Sequence, residues 1–324
     1  MLIVYWAKLQ LGRTQIVEAV RGVPGVELQV TATLQETLDA LPGATGLLLV
    51  HGPHDEARRV YAALRDPGST VRWMHFISAG REGYEELGWP EGVIVSYAGG
   101  GVAPVVAEHA MALLLAMGRR VPDLATIVMP RRAFDRTLVA PRARSVEGAT
   151  LAIVGYGQIG RELARRARAF DMRIVTASRT PRADELVEEA LPLSRLREVL
   201  AQADAIAVSI ALTPETRHLL GAAEFAACKA DALLVNVSRG PVIDQDALRR
   251  ALEQGLLGGA ALDVTDPEPL PADDPLWTCP NLLISPHFAG SGSPRSLDRL
   301  ASGVVENLVR LQAGQPLLHV VSAG

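Results

Sequence analysis

Short apolar runs recur along the chain, separated by stretches of amphipathic period. The first hundred residues hold LIVYW at 2–6, GLLLV at 46–50, VRWMHFI at 71–77 and VIVS at 93–96. Strands that alternate with helices predict a parallel sheet with helices packed on its faces. Ala98-Gly99-Gly100-Gly101 follows and reads as a hinge between two domains, after which Pro104 opens a long predicted helix, VVAEHAMALLLAMGRR. Residues 121–148 are rich in Arg and Pro and too long for a simple connection, so they predict an arm that packs on something, such as a second subunit. From 150 the rhythm resumes with TLAIV, a glycine turn, an amphipathic stretch over 161–170 and a second strand. DAIAVSI at 204–210, ALLVNV at 232–237, GGAALDV at 258–264 and NLLIS at 281–285 complete the series. These near-continuous apolar runs predict strands buried on both faces. Between them DQDALRRALEQG predicts a helix opened by Asp244 as N-cap and closed at Gly255.

Composition narrows the picture. A chain of 324 residues that is 48% hydrophobic can fill two cores. The formal charge of −4, with arginines interleaved among acids, gives no basic stripe for nucleic acid. No apolar run reaches the roughly 18 residues of a membrane span, and the N-terminal MLIVYWAKLQ is too short for a signal peptide. A soluble, unexported, cytoplasmic protein is expected. Cys228 and Cys279 have neither a second Cys nor a His at ligand spacing, which predicts free thiols and no metal site.

Gly155, Gly157 and Gly160 stand in G-x-G-x-x-G register between a predicted strand and a predicted helix, the context a dinucleotide fingerprint requires. Gly155 permits the tight turn, Gly157 lets the backbone approach a pyrophosphate, and Gly160 lets helix pack closely on sheet. Free N–H groups at the helix start, around Gln158 and Ile159, then meet the pyrophosphate charge. NAD-specific folds carry an acidic residue roughly 20 residues beyond these glycines. Here that position is Ser178, followed by Arg179 and Thr180, with Arg182 close by. Hydroxyls and a guanidinium suit a 2′-phosphate, so the sequence predicts NADP as cofactor, with NADPH preferred over NADH.

Arg239, then Asp263 with Glu268, then His287 lie just beyond three successive predicted strands. In an open parallel sheet such side chains can converge on one crevice. In these and the surrounding segments the chain resembles the D-2-hydroxyacid dehydrogenase family. The resemblance runs over nearly the whole chain, through AEHAMALLLA at 107–116, GYGQIG, LTPETRHLL at 212–220, NVSRGPVID at 236–244, ALDVTDPEPLP at 261–271 and SPHFAG at 285–290. It implies that Arg239 grips the substrate carboxylate and polarises its carbonyl, that Glu268 pairs with His287, and that His287 is the general acid or base. It also implies that Asp263 holds the nicotinamide carboxamide and that Thr213 contacts the cofactor. The chemistry suits these residue types on its own terms. Hydride addition to a 2-oxo acid leaves charge on the former carbonyl oxygen, and histidine is suited to deliver a proton there. A neighbouring carboxylate favours the imidazolium form. A guanidinium holds a carboxylate in a bidentate fork that lysine cannot reproduce.

The resemblance further implies two doubly wound α/β domains: a Rossmann-type cofactor domain over 102–287, inserted in a flavodoxin-like substrate domain of 1–101 completed by 288–324. The active site would lie between them, with Ser78-Ala79-Gly80 binding substrate carboxylate through backbone N–H groups. Arg81 and Glu82 depart from the family's pattern, where an apolar residue and often an aspartate are expected. His51, His54 and His109 receive no role. The expectation is a homodimeric reductase of small 2-oxo acids, glyoxylate or hydroxypyruvate first. The alternatives are larger branched or aromatic 2-oxo acids, and a non-catalytic NAD(H)-sensing protein like the C-terminal-binding corepressors. Formate dehydrogenase relatives are disfavoured, because they carry Gln where this chain has Glu268.

Overall fold

In the computed structural model, which describes residues 1–8, 12–78 and 80–322, the chain divides into two units. One comprises Met1–Val102 with Gly292–Gly324, the other Ala103–Ser291. The first is built on β1 (Leu2–Trp6), β2 (Glu27–Thr31), β3 (Gly46–Leu49), β4 (Trp73–Phe76) and β5 (Ile94–Tyr97). They pair in parallel in the order β2-β1-β3-β4-β5, the flavodoxin-like order, and the strand Val320–Ser322 adds antiparallel to β5. Because side chains alternate across a strand, an unbroken apolar run feeds two cores. Val4 and Trp6 of β1 join Leu47, Met74 and Tyr61 on one face, while Ile3 and Tyr5 join Leu48, Trp73 and Ile16 on the other. Helices α1 (Arg13–Arg21), α2 (Leu34–Ala40) and α3 (His54–Leu64) cover the sheet, and the long helix Pro294–Gln312 packs on α1. The glycines read as a hinge are held by packing within this unit. Gly99 has φ 62° and its Cβ would fall 2.5 Å from the His319 ring, while a Cβ on Gly101 would fall 2.8 Å from Leu300.

The second unit opens with α4 (Ala103–Gly118), whose Val106, Ala107, Ala110, Met111 and Leu114 form a buried helical stripe. The arm that follows consists of short turns, among them α5 (Val121–Asp123) and α6 (Met129–Arg131), with Leu124, Met129 and Phe134 exposed. Then come β6 (Thr150–Val154), α7 (Gln158–Arg168), β7 (Arg173–Ser178), β8 (Glu189–Pro192), α8 (Leu196–Gln202) and β9 (Ala205–Val208). They are followed by α9 (Ala222–Ala226), β10 (Leu233–Asn236), α10 (Gln245–Glu253), β11 (Gly259–Leu262) and β12 (Leu282–Ile284). All seven strands are parallel, in the order β8-β7-β6-β9-β10-β11-β12, so the winding reverses beside β6 and opens a crevice outside the carboxyl ends of β6 and β9. Both units are thus doubly wound α/β sheets. Asp244 caps α10 by accepting from the Ala247 N–H at 2.9 Å, and Gly255 ends it at φ 68°. The boundary between units falls after Ser291, later than the sequence placed it, because the Phe288 and Ala289 N–H groups donate to Asp263 and tie this segment to the second unit.

Candidate active site

The glycine turn shapes a cavity of about 780 Å³ within the second unit. Gly155 leaves β6 at φ 94°, where a Cβ would strike the Ile210 backbone at 2.5 Å, and a Cβ on Gly160 would lie 2.5 Å from the Gly155 carbonyl oxygen. The start of α7 is therefore drawn tight against the sheet. Around the Cβ position of Gly157 nothing stands within 4 Å, so that direction is open to a ligand. No side chain caps α7, leaving the N–H groups near Gln158 and Ile159 to meet an anion. Gly155, Gly157, Ser178, Arg179, Thr180 and Thr213 line the cavity, whereas Gln158, exposed, and Ile159 and Gly160, which follow it on α7, are not among the lining residues. One hydroxyl on the lining, that of Ser178, is buried without a hydrogen-bond partner, while the Tyr156 phenol has Asp184 as its partner. Burial pushes the Tyr156 phenol up to about 12, with nearby Asp184 acting in the same direction, so it remains a donor. An uncapped helix start, an open glycine and the unpaired Ser178 hydroxyl fit a dinucleotide phosphate and ribose.

Three loops beyond β10, β11 and β12 carry the other candidate side chains. Fully buried Asn236 ends β10 and ties the first loop: its Oδ1 accepts from the Ser238 N–H and hydroxyl, and its amide donates to the Arg239 carbonyl at 3.0 Å. Gly240 next meets the second loop so closely that a Cβ would lie 2.0 Å from the Thr265 carbonyl oxygen. Gln245, at the start of α10, accepts from the Asp266 N–H at 2.9 Å and fixes the far side of that loop. Arg239 and Glu268 are thereby brought near one another. Burial alone would raise the Glu268 carboxyl, but the hydrogen bond and charge of His287, the Thr265 amide and Arg239 together hold it below its usual value. His287 Nδ1 lies 2.5 Å from Glu268 Oε1, both side chains being partly open to solvent.

Asp263, nearly fully buried, organises the third loop. Its carboxylate accepts from Ser285 Oγ at 2.6 Å and from the Phe288 and Ala289 N–H groups at 3.2 and 3.1 Å, and its carbonyl accepts from the His287 N–H at 2.8 Å. His109 reaches the same group. Its Nε2 lies 3.3 Å from Asp263 Oδ1 and 3.2 Å from Ser285 Oγ, so one of the three histidines left without a role is paired after all. Another, His54, meets Glu86. In the first unit Ser78 and Gly80 form the turn after β4, the Ser78 hydroxyl donating to the Gly80 carbonyl at 3.0 Å, and Ala79 lies outside the described residues. Sequence reasoning missed Asn236, Tyr156 and His109. An Asn at a strand end was a usable signal for the first, but the partners of His109 lie more than 150 residues away.

Known proteins are similar to this chain in sequence and in fold. The family model "D-isomer specific 2-hydroxyacid dehydrogenase, NAD binding domain" matches residues 111–289. A glyoxylate reductase of Korarchaeum cryptofilum is 38% identical over 72% of this chain and 71% of its own. A glyoxylate/hydroxypyruvate reductase B of an Enterobacter species is 33% identical over 87% of this chain and 86% of its own. Among solved structures, a D-isomer specific 2-hydroxyacid dehydrogenase of Xanthobacter autotrophicus in complex with NADPH and MES superposes with a TM-score of 0.81. It is 25% identical, with 99% of this chain and 98% of the other covered. On the glycine turn, the loops of Arg239, Glu268 and His287, and these matches, the chain is an NAD(P)-dependent enzyme belonging to the D-isomer-specific 2-hydroxyacid dehydrogenase family.

Proposed function

We propose that this enzyme is an NADPH-preferring reductase of a small 2-oxo acid, glyoxylate or hydroxypyruvate, giving the D-2-hydroxy acid. The observation that carries the reading is the contact between Glu268 and His287 Nδ1, which leaves Nε2 as the ring nitrogen able to deliver a proton. The relatives named above support the substrate class.

When bound, the dihydronicotinamide supplies the hydride. Gly157 and the start of α7 would hold its pyrophosphate and Ser178 and Arg179 its 2′-phosphate, with Thr213 on the cavity wall, while the Asp263 carboxylate, about 1% exposed and already accepting from Ser285, Phe288 and Ala289, is not open to its carboxamide as the resemblance implied. Arg239 forms a bidentate fork with the substrate carboxylate and places positive charge beside the developing alkoxide. His287 donates its Nε2 proton to the carbonyl oxygen as charge develops there, and Glu268 keeps the ring oriented. The turn after β4, at Ser78 and Gly80, would offer backbone N–H groups to a carboxylate. The arm exposes Leu124, Met129 and Phe134, large apolar side chains that a homodimer contact would cover.

Turnover of a panel of 2-oxo acids with NADPH and with NADH tests the reading. Reduction of glyoxylate or hydroxypyruvate with kcat/KM at least tenfold above that for branched and aromatic 2-oxo acids is expected. Tight cofactor binding without turnover of any 2-oxo acid would favour a sensing role instead.

A further inference from the structure

Among the described residues, His109 is the one polar side chain of α4 with a contact to the loop bearing His287, and it touches that loop from two directions. Its Nε2 stands 3.2 Å from Ser285 Oγ and 3.3 Å from Asp263 Oδ1, while its ring packs edge-on against Phe288 with centroids 4.7 Å apart. The Ser285 hydroxyl hydrogen is committed to Asp263 Oδ1, so what remains at this corner is a hydroxyl lone pair and a carboxylate, both acceptors. The ring proton of His109 therefore belongs on Nε2. The carboxylate it serves is about 1% exposed, where a lost donor is not replaced by water.

That carboxylate also holds the backbone of the proton-transfer loop. Asp263 accepts from three consecutive N–H groups, those of Phe288 and Ala289 through its side chain and that of His287 through its carbonyl. His287 itself stands at φ 49°, a left-handed conformation that a residue with a side chain adopts only when its surroundings impose it. We propose that His109 is a positioning residue: by completing the donor set of Asp263 it keeps the 287–289 backbone in the conformation that aims His287 at its proton acceptor. This rests on the reading of His287 as the general acid.

The test separates hydrogen bonding from packing. His109→Gln retains an N–H donor but loses the ring, and His109→Phe retains the edge contact with Phe288 but loses the donor. With NADPH and glyoxylate, His109→Gln is expected to keep kcat within about threefold, whereas His109→Phe loses about tenfold in kcat with KM within about twofold, the scale of one buried hydrogen bond. In a His287→Ala background His109→Phe should cost nothing further, because a residue that acts through His287 has nothing left to position. Hydrogen exchange at the 287–289 amides should quicken in His109→Phe, whatever the activity. The reverse ranking of the two variants, a full tenfold loss in the His287→Ala background, or unchanged exchange at 287–289 would overturn the proposal. Full activity of His287→Ala by itself would instead overturn the general-acid reading beneath it, in a separate assay.

Discussion

His287 Nδ1 and Glu268 Oε1 are 2.5 Å apart, although the two residues sit on loops that follow different strands of the sheet. A carboxylate at this distance orients the ring and commits Nδ1 to it. His287→Ala should therefore lower kcat by about 10²-fold or more, the scale of acid-base assistance. Glu268→Gln should lower kcat by about tenfold, because a neutral amide holds the ring less firmly than a charge-assisted hydrogen bond does. An unchanged kcat in that variant takes Glu268 out of the mechanism.

Arg239 makes a second contrast available. Its backbone is pinned by Asn236, so a substitution there changes the head group and leaves the loop in place. Arg239→Lys should raise KM for the 2-oxo acid by about tenfold or more, since an ammonium cannot reproduce a bidentate fork. A near-normal KM would assign carboxylate binding to another group.

Much of this was legible in the sequence because the signals were local. Strands β1, β3, β4 and β6 are buried on both faces and announce themselves as unbroken apolar runs. Strands β2 and β8 lie at the edges, where their side chains are less completely buried, and their mixed sequences gave no such run. The glycines and Asp244 declared their places through requirements of a few neighbouring residues. By contrast, the contact of Gly240 with Thr265 and that of His109 with Asp263 exist only once distant segments have folded together. No window of sequence contains them.

Assembly can be checked directly. Light scattering at micromolar concentration should give about twice the chain mass of 34.5 kDa. Phe134→Asp, at an exposed position of the arm, should shift the population toward monomer by placing a charge in an apolar contact. A monomer mass for the unsubstituted chain would remove the arm from the assembly.

His75 makes stability depend on pH. It is fully buried on β4, its Nδ1 2.8 Å from Ser96 Oγ, and burial with His319 nearby pushes it down to about 3. The folded value lies below the unfolded one, so its contribution is complete above the unfolded value near 6.5 and is lost progressively as pH falls toward the folded one. From pH 7 to pH 5 the unfolded chain takes up a proton that the folded chain refuses, which costs about 2 kcal/mol. Urea unfolding at both pH values should show His75→Gln losing less stability than the unsubstituted protein by that amount. Equal losses would mean that His75 accepts a proton while folded.

Cofactor choice is the sharpest test of the cavity. At the end of β7, where an acidic residue would receive a ribose 2′-hydroxyl, stands Ser178, with its hydroxyl buried and unpaired, followed by Arg179 and Thr180 on the cavity wall. An aspartate there would repel a 2′-phosphate; a hydroxyl and a guanidinium attract one. Glu215 lies close enough for Arg179 to help hold its carboxyl below the usual value, after the hydrogen bonds from Thr213 and its own backbone, so the guanidinium stands over this cavity. NADPH should exceed NADH by about 10- to 100-fold in kcat/KM, corresponding to roughly 1.4–2.7 kcal/mol of transition-state stabilisation. Replacing Ser178 by Asp together with Arg179→Ala should reverse the order, since the pair then repels the phosphate and accepts from the free ribose. Equal or better use of NADH by the unsubstituted enzyme would refute the assignment and leave Arg179 as a solvent-facing residue at the strand end.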